Sequence, residues 1–382
     1  MNRNDGIRDD RALRGRDRPT VGNGPDAARR VRFSGGNDFQ AALQRRVDEF
    51  LGHTGIRTRD CPQMYVKTGV ILLSFAVLYA LLVFVASAWY TALPLAVMLG
   101  LVTAEIGFNI MHDGGHGAYS ARPWINRLMV MSLDMIGASS YLWRWKHGIF
   151  HHTYPNVTGQ DPDIELGVLG RLAPQQPRRM HHRWQQWYIW PLYGVLGLKW
   201  HAFDDFHDVL TGHIAGRRFP RPRGRDLAVF VGGKILFFGL VFGLPLLLHP
   251  LWAVAVLYGV WVFVLGMALS VVFQLAHCVE EAEFPLPNAE TLRLERPWAV
   301  HQVETAVDFL RTSRVACWLL GGLNFQIEHH LFPRICHVHY PALAKLVEAT
   351  SREFGVRYHV HRSIWAALAS HFRWLRAMGA PA

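Results

Sequence analysis

The sequence predicts an all-α integral membrane protein: four transmembrane helices in two hairpins, with a cytoplasmic helical cap that carries histidine clusters. Three observations lead there. Four long apolar stretches come in two pairs, and the turn inside each pair has no Lys or Arg. Three histidine clusters, HDGGH at 112–116, KHGIFHHTYPN at 146–156 and GGLNFQIEHHLFP at 321–333, abut those stretches or lie in polar segments beyond them.

The composition agrees. Of 382 residues, 51% are hydrophobic and 14 are tryptophan, a profile of apolar spans joined to a sizeable polar part. The net charge of +11 raises nucleic acid as a partner. Yet the basic residues gather at the N-terminus and beside the apolar stretches, where they obey the positive-inside rule and suit anionic headgroups. Membrane lipid is therefore the expected partner, and nucleic acid is not. Cys61, Cys278, Cys317 and Cys336 form no C-x-x-C pair, which argues against a disulfide scaffold and fits a reducing setting.

Residues 1–35 mix Arg, Asp, Gly, Asn and Pro, and read as a disordered basic cytoplasmic tail. No apolar core precedes residue 68, so a cleaved signal peptide is not expected. Phe39, Leu43, Val47, Phe50 and Leu51 recur at helical spacing, as in an amphipathic helix lying on the membrane. The first hairpin is read at about 68–90 and 93–111, broken at 91–94 around Pro94. Lys67 precedes it and its turn is uncharged, which places the N-terminus and His112 on the cytoplasmic side.

Residues 128–143 are apolar but short for a span and are interrupted by Asp134. Residues 187–200 are aromatic and contain Pro191, the pattern of a broken interfacial helix. The basic, Pro-containing segments 171–183 and 217–225 read as headgroup-level loops. The second hairpin falls at 228–248 and 251–276, divided by His249 and Pro250, with Lys234 snorkelling to its cytoplasmic end. Beyond Glu280 the chain is amphipathic and helical, with no strong strand pattern. The domain frame is a tail at 1–35, a main domain at 36–345 and a cytoplasmic extension at 346–382.

The chemistry lies in the polar residues. Glu105, Asn109, His112 and His116 fall four, three and four apart, one stripe on an apolar helix; Ser270, Gln274, His277 and Glu281 repeat the pattern. Polar groups in a span face a bundle interior or a site. His147, His151 and His152 stand at i, i+4 and i+5, and Gln326, His329 and His330 at i, i+3 and i+4. Together these imidazoles exceed one tetrahedral zinc, so two metals fit better; iron is the redox-competent choice and zinc stays open.

The boxes H-x-x-x-H, H-x-x-x-H-H and Q-x-x-H-H resemble those of the membrane-bound fatty acid desaturases. The likeness extends through FQLAHCVEEAEF (273–284), WAVHQVETAVDF (298–309) and HVHYPAL (337–343). Gln326 at the head of the third box resembles the front-end and related bacterial acyl desaturases. The resemblance implies two iron ions held by His112, His116, His147, His151, His152, His277, His329 and His330. It implies Gln326 and Gln274 acting through water or a hydrogen bond to a ligand, with Asp113 also behind the ligands; the polar stripe adds Glu105 there. For Asp113 and Glu328, orienting an imidazole and pairing elsewhere stand as equal readings.

The implied reaction takes O2 and two electrons to place a cis double bond in a fatty acyl chain carried on CoA, carrier protein or lipid. No H-P-G-G haem motif is present, so a separate electron donor is expected, such as a ferredoxin or a flavin or iron–sulfur reductase. The implied location is a bacterial inner membrane. A hydroxylase of the same architecture differs only in the fate of the substrate radical. A histidine-rich metal transporter would place its ligands at the bilayer midplane, not at helix ends. His181, His182, His201, His207 and His213 read as surface or structural. His301, His337 and His339 stand evenly between a supporting role and none. Arg144, Lys146 and Trp143–Trp145 read as an interfacial belt or as a phosphate contact.

Overall fold

The computed structural model describes residues 31–381. Four helices are long and apolar enough to cross a membrane: Pro62–Val85, Trp89–His116, Arg225–Leu246 and Leu251–His277. Pro62 stands at the first position of its helix, where its missing N–H costs nothing. Gly117, at φ 70°, closes the second span with a left-handed cap. The first break falls at 86–88, not at 91–94. Ala88 is extended, while Pro94 lies inside the Trp89–Glu105 helix, which bridges the single hydrogen bond it loses.

The second and fourth spans form the centre. The fourth packs along the second and along the Gln185–Lys199 helix. Gly194 and Gly197 make the latter contact possible: a Cβ on Gly194 would meet the Phe263 ring at 2.2 Å. A Cβ on Gly266 would in turn meet the Gly194 carbonyl at 2.6 Å. Small residues let the two backbones approach. The same helix runs unbroken through Pro191, so the expected interruption there does not occur. Lys234 does not snorkel. Its ammonium is buried and donates to the Gly137 carbonyl at 2.7 Å and to Asp205 Oδ2 at 2.8 Å. A buried charge persists when a partner of opposite sign is in reach, and Asp205 on the neighbouring helix supplies it.

The Asp38–Thr54 helix turns its apolar face into protein. Phe39, Leu43 and Val47 are buried with Val303, Leu343 and Val347. The amphipathic pattern was right and its partner was the C-terminal half of the chain. Of the tail expected over 1–35, residues 1–30 lie outside the described residues. Arg32–Phe33 pairs in parallel with Arg293–Leu294. Two further two-residue ladders join His213–Ile214 to Arg217–Arg218 and Asp308–Phe309 to Val360–His361. Pairings this short carry no periodicity, which is why no strand was expected. Past residue 345 the Tyr340–Glu353 helix runs on, and the Ile364–Gly379 helix packs against the fourth span and the Gln185–Lys199 helix. That stretch is built into the core.

Candidate metal centre

The three histidine boxes and His277 meet at one end of the bundle. A π turn over Ile106–Met111 precedes His112 and His116, whose rings lie 4.8 Å apart at the end of the second span. That turn breaks the expected stripe. Asn109 donates to the Glu105 and Leu319 carbonyls, and Glu105 makes no hydrogen bond among the described residues through its carboxylate. A second π segment, Arg144–His151, carries the middle box. Its i→i+5 winding sets His152 beside His147, with Nε2 atoms 3.2 Å apart, while His151 stacks on His147 at 5.1 Å. The third box rides the buried Gln326–Leu331 helix. Gly321, at φ 59°, lets the preceding loop press on the π turn; a Cβ there would meet the Phe108 carbonyl at 2.2 Å.

The nitrogens fall into two groups, His112, His116, His147 and His329 in one and His151, His277 and His330 in the other, each with donor atoms within 4.8 Å of one another. His152 stands between them: its Nε2 is 2.9 Å from that of His329, and its ring is 4.5 Å from His330. Gln326 Nε2 lies 3.0 Å from His277 Nε2 and 3.3 Å from His330 Nε2, so Gln326 belongs to the second group's surroundings.

Behind the imidazoles stand partners that fix their tautomers. His151 Nδ1 lies 3.0 Å from Asp161 Oδ2, and His330 Nδ1 donates to Gln302 Oε1 at 2.8 Å. His277 Nδ1 donates to the Thr305 carbonyl at 3.0 Å, and His329 Nδ1 lies 3.3 Å from the Tyr340 hydroxyl. A proton held at Nδ1 leaves the Nε2 lone pair aimed inward. Burial, then neighbouring imidazoles, drives His147, His152, His329 and His330 well below the usual histidine range. For His151 burial acts the same way, but the charge and hydrogen bond of Asp161, with Asp163, reverse it and raise the pKa.

Several buried acceptors have no partner among the described residues: Nε2 of His116 and His151, and Oε1 of Gln326 and Gln274. Buried polar atoms are nearly always satisfied. Converging imidazoles with unshared inward lone pairs are what a divalent transition metal completes. The residues fit metal ions, one at each group.

Other expectations resolve differently. Asp113 turns away from the boxes: its Oδ2 lies 2.9 Å from His337 Nδ1, whose Nε2 is 3.1 Å from Lys67 Nζ. Glu328 accepts from the Tyr358 hydroxyl at 2.9 Å and orients no imidazole; burial beside Asp308 raises its pKa well above normal. Trp143 is not a belt residue, for it is buried and stacks on His147 at 4.8 Å. Trp145 is buried too, while Lys146 Nζ lies 3.9 Å from Asp163. His301 is buried against Phe33, and His339 Nε2 lies 3.1 Å from Cys61 Sγ. His182 and His201 are buried outside the cluster, and His181, His207 and His213 lie nearer the surface.

Sequence reasoning missed Asp161, Gln302, Thr305 and Tyr340. It also missed Asn156, which in a left-handed conformation donates through Nδ2 to the His277 carbonyl at 3.0 Å and the Thr305 carbonyl at 3.2 Å. The D-P-D at 161–163, nine residues past the middle box, was the one available signal.

The comparisons with known proteins agree with this geometry. The fatty acid desaturase family profile matches residues 87–362. The sn-1 linoleoyl-lipid 6-desaturase of Synechocystis sp. is 37% identical over 92% of this chain and 98% of its own length. The enzyme of the same name from Arthrospira platensis is 37% identical over 91% of this chain and 95% of its own. The acyl-lipid (8-3)-desaturase of Physcomitrium patens is also 37% identical, over 90% of this chain and 72% of its own. With a profile match over most of its length and relatives this similar from end to end, the chain belongs to the fatty acid desaturase family and is an oxidoreductase acting on fatty acyl chains.

Proposed function

We propose that this chain places a cis double bond in the acyl chain of a membrane lipid, using O2 and two irons. The observation that carries the reading is the inward convergence of two groups of buried imidazoles. His112, His116, His147 and His329 would hold one iron, and His151, His277 and His330 the other, with His152 between them and Gln326 beside the second. Bound there, the irons supply the oxygen-reducing chemistry that removing two hydrogens from a methylene pair requires. The protein's share is to hold the imidazoles aimed. Asp161, Gln302 and the Thr305 carbonyl keep protons on the outer nitrogens. The buried Trp143 ring and the partly buried Phe273 ring lie against His147 and keep water from that side.

A lipid-borne acyl chain is the substrate class because the relatives from Synechocystis sp. and Arthrospira platensis are sn-1 linoleoyl-lipid 6-desaturases. Position 6 is the expected site of the new bond. The turns at 86–88 and 247–250 carry no Lys or Arg, while Arg57 and Arg59 flank the other end of the first span and Lys67 lies in its first turns. This supports two hairpins with the histidine end and both termini in the cytoplasm of a bacterial inner membrane. Electrons then come from a separate ferredoxin or a flavin or iron–sulfur reductase, which the positive surface charge favours.

The test is expression of the wild type and His151→Ala in a host with a suitable reductase, followed by acid profiling with double-bond location by derivatisation. A new unsaturated acid, absent with the variant, is the expected result. A hydroxylated acid would overturn the reaction, and folded protein free of iron would overturn the centre.

A further inference from the structure

The histidine centre occupies one end of the bundle; towards the other, a cavity of about 720 Å³ opens among the four spans. Phe75 and Tyr79 of the first span, Leu99 of the second, Phe237 and Leu240 of the third and Trp261 of the fourth contribute walls. Trp89 and Trp252, both exposed, stand at its mouth beside the two interhelical turns. Tryptophans in that position mark the headgroup level of a bilayer.

Polar groups deep in the walls are already used within the protein, while Ser87, Trp89 and Trp252 stand at the exposed mouth. The Tyr79 hydroxyl donates to the Leu240 carbonyl at 2.6 Å, and His249 Nε2 donates to the Val83 carbonyl at 2.7 Å. The Trp261 indole donates to Thr103 Oγ1 at 3.0 Å, and the Tyr258 hydroxyl lies 3.2 Å from His201 Nδ1. Away from the mouth these walls leave an occupant no free polar partner, so hydrocarbon suits the interior better than water. The first two bonds also tie the first span to the third and to the turn before the fourth, which holds the cavity open. Only 17% of the first span's apolar window is buried, and 17% of the third's, against 50% for the second. The cavity is thus flanked by thinly covered helices with bilayer lipid immediately outside.

The occupant is not the chain that reacts. From Leu99 to His112 the second span climbs about 20 Å at the helical rise. Ile106 and Phe108 along that rise, and Leu269 of the fourth span, are buried apolar residues that are not among the cavity's walls. We propose that this cavity is a binding site for one acyl tail of a membrane phospholipid, retained as a fixed part of the bundle and distinct from the substrate.

The experiment uses the full chain in nanodiscs of a phosphatidylcholine and phosphatidylglycerol mixture whose tails end in a diazirine. After photolysis, adducts are expected on Leu99, Phe237 and Trp261, which are too buried for lipid on the outer surface to touch. Adducts confined to outward residues such as Val66 and Leu73 would overturn the proposal. Ala253→Phe and, as an independent variant, Ala92→Phe fill the cavity from two spans. Each is expected to cut the inner adducts about fivefold, since a filled cavity has no room for methylenes. Turnover should stay within about twofold, as for sites well apart. Unchanged inner adducts in both filled variants would also overturn it. So would a shifted double bond, or lost turnover with iron retained, because the cavity would then hold the reacting chain. Neither outcome bears on whether the protein is a desaturase, which the wild-type product decides separately.

Discussion

The two histidine groups solve the same problem by different means. His112, His116, His147 and His329 are four imidazoles with loose support: His329 has the Tyr340 hydroxyl at 3.3 Å, and His147 Nδ1 is 3.6 Å from Asp163. His151, His277 and His330 are three, each steered through its outer nitrogen by a partner at 3.0 Å or less. One group relies on the number of donors, the other on their orientation. Removing a donor should therefore hurt the three-histidine group more, and removing a support should hurt it far more.

The largest expected effect follows directly. His330→Ala leaves that group two imidazoles, so turnover falls to background and bound iron drops by half or more, read by product analysis and metal content of purified protein. Wild-type iron in this variant would break the assignment of His330. Next comes Asp161→Asn, which removes the charge behind His151. Supports of this kind are worth about 10- to 100-fold in activity or affinity, so turnover should fall within that range while the chain stays folded. Tyr340→Phe, the matching change in the other group, should cost less than about threefold by the same argument. Equal losses from the two would erase the distinction.

Acidity tests both groups together. Four histidines, 147, 152, 329 and 330, are held below their unfolded pKa of roughly 6.5. As pH falls below that value the unfolded chain takes up protons the folded chain refuses, so folding weakens. His151 runs the other way: its raised pKa adds stability below the unfolded value, and that share is lost as pH rises through the folded one. Four outweigh one. Metal-free protein should melt at lower temperature at pH 5.5 than at pH 7.5, and added iron should be released over the same interval. A melting temperature that rises on acidification would mean that the carboxylates govern.

Much of this was legible before any coordinates. The eight histidines carry a spacing and a chemistry that no packing detail changes, and the apolar length of the spans is set by composition. What escaped was contact made at a distance. Asp161 is an ordinary loop aspartate until the chain folds it under His151; Gln302 and Thr305 lie in segments whose pattern shows only burial. Lys234 was taken to snorkel because the sequence does not reveal Asp205 at its side. The Glu105 stripe failed for a local reason, since the π turn over Ile106–Met111 adds a residue to the winding and rotates what precedes it. No periodicity count detects one extra residue.

That failure supplies the smallest prediction. If the four-imidazole group has no carboxylate nearer than the loosely placed Asp163, Glu105 does nothing for it. Its carboxylate makes no hydrogen bond among the described residues, and the π turn separates it from His112. Glu105→Gln keeps the shape and removes the charge, and turnover and iron content should both stay within about twofold, as for a residue that touches no ligand. The measurement compares product formed per iron in the two proteins under one reductase. A tenfold loss would mean that Glu105 reaches the imidazoles during turnover. The four-histidine group would then be steered by a carboxylate just as the three-histidine group is by Asp161.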